Sequence, residues 1–185
     1  RGLGDVYKRQ EKKFCKVYQY TNTRIYVMKI KQLEKEIGTL SNPSKMPSYA
    51  WGISAKQCKV GSKLAKIKGT ICNKCYALKG HYTFPVTVNA HKIRLDAVKR
   101  PEWVDYMAEL LTLKYKRLDK SRLFHRWFDS GDIQSYEHLM KIFEVCELTP
   151  HIRHWLATRE YKILSQIKYE DIPKNLVVRA SGIKI

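Results

Sequence analysis

Short apolar runs alternate with longer amphipathic stretches through the second half of the chain. The apolar runs 123–128, 152–157 and 176–179 are rich in β-branched and aromatic residues, a composition typical of strands. Between them, apolar residues recur at helical spacing over 135–148 and 160–169. Strands that alternate with helices in this way predict right-handed βαβ units, and therefore a parallel sheet.

The first half of the chain predicts further elements. They are a β-prone lead-in at 14–31, a short helix at 33–37 that ends at Gly38, a strand at 49–53, a helix over 86–99 and a helix that opens at Pro101. Pro85 suits the first turn of the helix over 86–99, because proline has no N–H to leave unpaired there. The apolar stripe of that helix, which we expect to face the core, consists of Val86, Ala90, Ile93 and Ala97.

These elements divide the chain into three parts. Residues 1–10 begin without Met and resemble translated adapter sequence at the end of a metagenomic reading frame, so they are excluded from the fold prediction. Residues 11–40 form an N-terminal strand and helix lead-in. Residues 41–185 form the main α/β unit, which includes a cysteine-containing loop at 55–82. Because the chain stops just after a strand-like run, we expect it to be truncated at its C-terminus.

Three of the five cysteines lie in the loop 55–82 and predict a metal site. Cys72 and Cys75 form a Cys-x-x-Cys pair, and the intervening loop is long enough to bring Cys58 beside them. Three thiolates leave one coordination position open. A 4Fe–4S cluster would then keep one iron free for a small molecule, whereas zinc would need His81 as its fourth ligand. We favour the cluster, and the polar loop argues against ordinary buried cysteines.

The amino-acid composition indicates which binding partners and which cellular compartment to expect for this protein. The chain carries 36 Lys and Arg against 17 Asp and Glu, a net charge of +19. That charge favours a nucleic acid or nucleotide partner, although a lysine-rich composition with dispersed charges explains it equally well. No apolar run is long enough for a membrane span. An odd number of cysteines without a secretion signal indicates a reducing compartment, the bacterial cytoplasm. The sequence does not indicate an oligomeric state.

Polar residues follow the predicted strands at their carboxyl ends. In parallel sheets these ends meet at one edge, where functional groups lie. The residues expected to meet there beside the cysteines are Ser130, Gly131, Asp132, Thr158, Arg159, Arg179 and Ser181. Arg159 and Arg179 suit a carboxylate or phosphate, which a guanidinium binds in a bidentate manner. Asp132 equally suits a helix cap, and for Thr158 the cap is the stronger interpretation.

Taken together, these motifs resemble an uncharacterised phage-borne family known by the mycobacteriophage gene eighty-eight protein. The matching segments are 42–46, Cys58, 72–77, 79–82, 129–132 and 158–160. That family is in turn similar to radical SAM enzymes, which bind S-adenosylmethionine at a three-cysteine 4Fe–4S cluster. The usual radical SAM spacing is Cys-x-x-x-Cys-x-x-Cys, whereas thirteen residues separate Cys58 from Cys72 here.

The resemblance implies a fold and a cofactor. The fold would be a partial TIM-type (β/α) barrel with parallel strands, and the cofactors a 4Fe–4S cluster and S-adenosylmethionine. Ser130, Gly131 and Asp132 would then bind the amino group of the methionine moiety. Two functions remain as hypotheses: a radical-SAM-like phage enzyme that acts on an unknown, nucleic-acid-related substrate, and a zinc-stabilised nucleic-acid-binding protein without catalysis.

Overall fold

Four short parallel strands form an open sheet in the computed structural model, which describes residues 28–182. In their order across the sheet they are β1 (Ala50–Trp51), β2 (Phe124–Trp127), β3 (Arg153–Thr158) and β4 (Leu176–Ala180). The predicted α/β class and parallel sheet are confirmed. Within the described residues the sheet does not close into a barrel, because β1 and β4 form its two edges.

Helices connect the strands and precede them. They are α1 (Ile30–Ile37), α2 (Lys59–Leu64), α3 (Pro85–Ala97), α4 (Trp103–Tyr115), α5 (Tyr136–Leu148) and α6 (Tyr161–Leu164). Four short 3-10 helices also lie in the loop 55–82 or at its end. The predicted lead-in up to residue 27 lies outside the described part of the chain, and the helix predicted over 160–169 is shorter than expected. None of the helices described is long and apolar enough to cross a membrane.

The hydrophobic core lies between one face of the sheet and helices α1, α4 and α5. Trp51 and Trp127 are paired in register on β1 and β2 and are fully buried. Trp103 of α4 packs edge-on against Trp51, with 5.8 Å between ring centroids. Offset and edge-on aromatic pairs of this kind add about 0.5–1.5 kcal/mol beyond their buried area. The tryptophans therefore fix α4 against the sheet.

Buried histidines continue this core along β2, β3 and α5. Trp127 Nε1 donates to His154 Nδ1 at 3.2 Å, and His154 Nε2 lies 2.9 Å from Thr149 Oγ1. Burial lowers the pKa of both His138 and His154 to about 3, and it lowers the pKa of His125 well below its usual value. These histidines are therefore neutral, structural members of the core at physiological pH.

The prediction that the apolar stripe of α3 faces the core is wrong. Of its four residues only Ala97 is buried, while Val86 is 82% exposed and Ile93 is 40% exposed. The helix buries His91 and Arg94 instead. The Arg94 guanidinium donates to Thr39 O at 2.7 Å and to Ser41 Oγ and Gly52 O at 3.0 Å each. Because these bonds satisfy the buried charge, polar contacts and not apolar spacing decide which side of α3 faces inward.

The opposite face of the sheet, called the open face below, carries a different set of residues. Strand alternation and register place on it Phe124, Arg126, Arg153, Trp155, Val177 and Arg179. Phe124 is 36% exposed and Val177 is 60% exposed. The core helices pack against the other side of these strands. On the open face Arg153 and Arg179 are also exposed, whereas Arg126 and Trp155 are half-buried.

Candidate functional site

A cavity of about 540 Å³ lies at the carboxyl ends of the strands. The loop 55–82 forms one wall, and the segments that follow β2 and β3 form the other. Its lining includes most of the predicted site residues, namely Cys58, Cys72, Cys75, Ser130, Gly131, Asp132, Thr158, Arg159 and Ser181. The structure therefore brings the cysteines and the strand ends to one place.

The three cysteines line the same cavity. The Sγ atoms of Cys58 and Cys72 lie 3.5 and 3.6 Å from the position that a Cβ on Gly61 would take, and so within about 7 Å of each other. All three cysteines are free thiols. Among residues 28–182, no three His, Cys, Asp or Glu side chains are positioned to hold one metal ion.

Arg159 connects the cysteines to the strand ends. Its Nη1 donates to Cys72 Sγ at 3.2 Å, and its backbone N–H donates to Asp132 Oδ2 at 2.9 Å. A guanidinium donor suits a sulfur that carries negative charge, because charge-assisted hydrogen bonds are the stronger ones. Arg159 therefore lies where it was predicted, but it contacts a cysteine of this chain.

Asp132 joins the segments that follow β2 and β3. Its Oδ1 accepts from Thr158 Oγ1 at 2.5 Å and from the Ile133 N–H at 2.8 Å. Thr158 Oγ1 accepts in turn from the Glu160 N–H at 3.1 Å, which forms a turn just before α6. The N-cap residue of α6 is Glu160, so the prediction that Thr158 caps this helix is wrong. Burial raises the pKa of Asp132, although its hydrogen bonds oppose the rise. The Asp132 carboxylate therefore accepts its hydrogen bonds from backbone N–H groups and from one hydroxyl.

Ser130 and Gly131 fasten the end of β2 to the end of β1. Ser130 Oγ donates to Ile53 O at 2.6 Å, and the Ile53 N–H donates to Ser130 O at 3.0 Å. Gly131 has a φ of +80°, and a Cβ there would lie 2.7 Å from Ile53 O. Only glycine fits this close approach without strain. The helix cap at this point is Ser135, whose Oγ accepts from the His138 N–H at 3.1 Å.

Acidic neighbours surround Cys58. Burial raises the pKa of Cys58 to about 12, with further contributions from Asp132, Cys75, Cys72 and Glu160. Glu160 is buried, and its Oε1 accepts from the Val60 N–H at 2.9 Å. The Cys58 thiol is therefore protonated at neutral pH unless a bound metal displaces its proton.

Three residues of the site were not assigned a role from the sequence. Asp129 lines the cavity and is 5% exposed, and its Oδ1 has no hydrogen-bond partner among the described residues. Tyr76 lines the cavity beside it, and its hydroxyl donates to Asp129 O at 2.5 Å. Arg126 reaches the cavity from the open face. Asp129 follows β2 directly, so the strand-end rule that selected Asp132 also points to it.

The charges on the lining favour an anionic ligand. Its cationic residues are Lys56, Lys66, Lys74, Arg126 and Arg159, and its carboxylates are Asp129 and Asp132. Since Asp132 is already hydrogen-bonded, Asp129 is the one further carboxylate of the lining against five cationic side chains. A ligand that carries phosphate or carboxylate together with one cationic group would match this distribution.

Two predicted residues lie away from the cavity. Arg179 is exposed and belongs to the open face, in register with Ala157. His81 is exposed, and its ring lies 5.0 Å from the ring of Phe84. Neither side chain belongs to the cavity lining. The arrangement that would place His81 beside the three cysteines is therefore absent from the described residues.

Comparison with known proteins identifies a family. A family profile described as Gene product 88 matches residues 10–185. No curated protein and no solved structure matches the chain significantly. The match spans the cavity and all four strands, so it includes every residue of the candidate site.

Proposed function

From the chain's membership of the gene product 88 family, a phage gene-product family, and from its cysteine-lined cavity, we propose a radical-SAM-like iron–sulfur enzyme. Cys58, Cys72 and Cys75 hold a 4Fe–4S cluster in this proposal, and S-adenosylmethionine and the substrate bind in the adjoining cavity. The open parallel sheet forms a partial TIM-type barrel in this proposal, and the enzyme works in the cytoplasm of the host cell. The observation that supports this best is the convergence of three free thiols and three strand ends on one cavity.

The lack of a fourth ligand beside the cysteines in the described residues favours a cluster over zinc. A zinc ion needs all its ligands about 2.0–2.3 Å from one centre, whereas a cluster binds each thiolate through a different iron and tolerates a wider separation. The thiols share a cavity wall, and His81 lies outside the lining. When bound, the cluster supplies one electron to S-adenosylmethionine.

The surrounding side chains have separate tasks in this proposal. Arg159 stabilises the sulfur of Cys72 through its hydrogen bond. Asp132 holds Thr158 and the Arg159 backbone in place, and so acts as a positioning residue. Asp129 offers its carboxylate to the ammonium of the methionine moiety. The lysines on the lining attract an anionic substrate, for which a nucleotide or nucleic acid is the candidate class.

Anaerobic reconstitution with iron and sulfide tests this proposal. We expect brown protein with broad visible absorption, and iron and sulfide in equal amounts. Cys75→Ser should reduce bound iron to background. Cys146→Ser is the matched control and should keep the iron, because Cys146 is buried in α5 away from the cavity. Colourless protein that carries one zinc per chain would instead support the zinc-stabilised alternative.

Electron paramagnetic resonance of the reduced protein tests the second cofactor. Adding S-adenosylmethionine should shift the cluster signal, because the free iron would gain a ligand. Asp129→Asn should weaken that response while it leaves the iron content unchanged. A spectrum that does not respond to S-adenosylmethionine at all would contradict the radical-SAM assignment but not the cluster.

A further inference from the structure

The open face combines aromatic rings and arginines in neighbouring positions. Arg126 lies over the ring of Trp155 at 4.8 Å, and Arg153 lies over the ring of Phe124 at 5.6 Å. Val177 and Arg179 extend the surface across β4. Together with Ala157, the seven positions of this face on β2 to β4 include three arginines and no acidic residue. Its charge is therefore uniformly positive.

The arginines on this face have no acidic partner among the described residues. None of the three forms an ion pair within residues 28–182. Arg126 Nε is buried and has no hydrogen-bond partner among the described residues. Burying a guanidinium against a ring costs hydration that an acceptor would restore. Arg153 and Arg179 are exposed, so their guanidinium donors are suited to an anion that lies on the sheet.

We propose that the open face binds single-stranded nucleic acid, with bases stacked on Phe124, Trp155 and their guanidinium partners. Unpaired bases stack on aromatic rings and on guanidinium planes, and open sheets accommodate two or three of them in this way. Strands β2 to β4 are about 4.8 Å apart, which gives a strip about 10 Å wide. The arginines contact the phosphates. Duplex nucleic acid fits less well, because its bases are not free to stack.

Charge argues against the other occupants of such a face. A second copy of this chain would bring three arginines against three arginines, on a protein whose net charge is +19. A further strand-bearing segment would leave the same guanidinium groups without acceptors unless it supplied carboxylates. Single-stranded nucleic acid provides both the phosphates and the stacking partners.

The surface is continuous with the cavity. Arg126 belongs to the open face and also to the cavity lining, and Ala157, which is in register with Arg179, lines the cavity as well. A strand bound on the sheet would therefore lead toward the cysteines. The interface deepens the proposed function by naming its substrate class, but its test needs no cluster.

Tryptophan fluorescence provides a direct readout. The chain has four tryptophans, of which Trp51, Trp103 and Trp127 are fully buried and Trp155 is half-buried. Titration with a single-stranded oligonucleotide of about 12 nucleotides should quench the emission of Trp155. Trp155→Phe should remove the quenching and keep most of the affinity measured by fluorescence anisotropy. Equal affinity for the duplex of the same sequence would overturn the stacking proposal.

Charge variants test the position of the interface. Val177→Glu should weaken oligonucleotide binding about tenfold, because it puts a negative charge among the arginines. Val86→Glu is the matched control on α3 and should change nothing, since Val86 is 82% exposed and lies off the sheet. The proposal would be overturned if Val177→Glu left the affinity for the oligonucleotide unchanged, or if it changed the oligomeric state of the protein instead of the affinity.

Salt dependence counts the phosphate contacts. The double variant Arg153→Gln, Arg179→Gln should reduce the slope of log K against log salt by about 1.4, since each contact with a single strand contributes about 0.7. The control Lys92→Gln, Arg117→Gln removes the same charge from exposed positions away from the sheet and should keep the slope. An equal reduction of the slope in both double variants would indicate nonspecific attraction to the net charge of the protein. That result would contradict the proposed interface.

Cysteine variants separate the two proposals. Cys75→Ser should keep oligonucleotide binding even where it loses iron, because the open face contains no cysteine. If the protein carries no cluster but binds the oligonucleotide with quenching of the Trp155 emission, the interface stands and the enzyme proposal fails. If a cluster forms without oligonucleotide binding, the reverse conclusion holds.

Discussion

At the scale of single residues, Phe128 shows how the cavity is shaped. It is the one non-glycine residue with a positive φ among those described, at 61°. Such a backbone costs roughly 1–2 kcal/mol for a residue with a side chain. Its N–H donates to Trp51 O at 2.5 Å, and its ring packs 5.5 Å from the Trp51 ring. These contacts offset the strain, and the bend directs the following residues to the cavity.

Gly131 allows the first prediction at this scale. Replacing Gly131 with Ala should destabilise the protein by about 2–5 kcal/mol, because a left-handed backbone and a steric clash with Ile53 add together. Urea unfolding followed by circular dichroism measures the loss. Gly69→Ala is the matched control, with a φ of +92° and no atom within 4 Å of the added Cβ. It should cost about 1–2 kcal/mol, and equal losses would show that Ile53 is not a constraint.

Most of the candidate site could be predicted residue by residue, because parallel strands end at one edge and polar residues follow each of them. The exceptions are His81 and Arg179, which are both exposed and lie outside the cavity lining. Strand alternation alone places Arg179 on the open face, since Leu176 and Val178 are the more apolar pair of β4. Hydrogen bonds such as Arg159 to Cys72 span 87 residues and leave no local signal in the sequence.

At the scale of elements, local signals predicted several of the helix ends, although α2 was not predicted. Gly38, with a φ of 82°, follows α1, Pro85 is the first residue of α3, and Ser135 caps α5. The buried side of α3 could not be predicted in this way. Apolar spacing selected Val86 and its neighbours, while the partners that bury Arg94 come from residues 39–52, which only the folded chain brings near.

The buried histidines between β2, β3 and α5 predict acid sensitivity. In the folded protein the pKa of both His138 and His154 lies near 3, below the usual value of 6.5. Below pH 6.5 the unfolded chain therefore binds more protons than the folded one, and stability falls as the pH falls toward 3. We expect a loss approaching about 1.4 kcal/mol per pH unit for each such histidine. Urea unfolding at pH 7.5, 6 and 5 measures it.

A pair of variants assigns this effect to the core. His154→Asn should lower stability at pH 7.5, because it disrupts contacts with Trp127 and Thr149, and it should flatten the dependence on pH. His151→Asn is the control, at an exposed position next to β3. It should leave stability at pH 7.5 unchanged and keep most of the pH dependence, because burial and not His151 is the main cause of the lowered pKa of His154. A steep dependence that persists in His154→Asn would assign the effect to other groups.

At the scale of the whole molecule, the sheet has two faces with different chemistry. One face buries tryptophans and neutral histidines beneath three helices, while the other carries arginines over aromatic rings. The cavity lies where the two meet, at the carboxyl ends of the strands. The class of fold and this location follow from the alternation of strands and helices. Whether the sheet closes into a barrel does not follow from this alternation, because strand number and register depend on pairings between distant segments.

The net charge of +19 predicts that salt stabilises the protein. Folding brings the positive charges closer together, and only three ion pairs form within residues 28–182 to offset them. Sodium chloride shortens the Debye length from about 30 Å at 0.01 M to about 8 Å at 0.15 M, which screens the repulsion. The melting temperature should therefore rise by a few degrees over this range. Lys92→Glu with Lys116→Glu, two exposed sites, lowers the net charge to +15 and should shrink the rise. A melting temperature that falls with salt would mean that attractive pairs outweigh repulsion, and the positive surface would then be balanced within the fold.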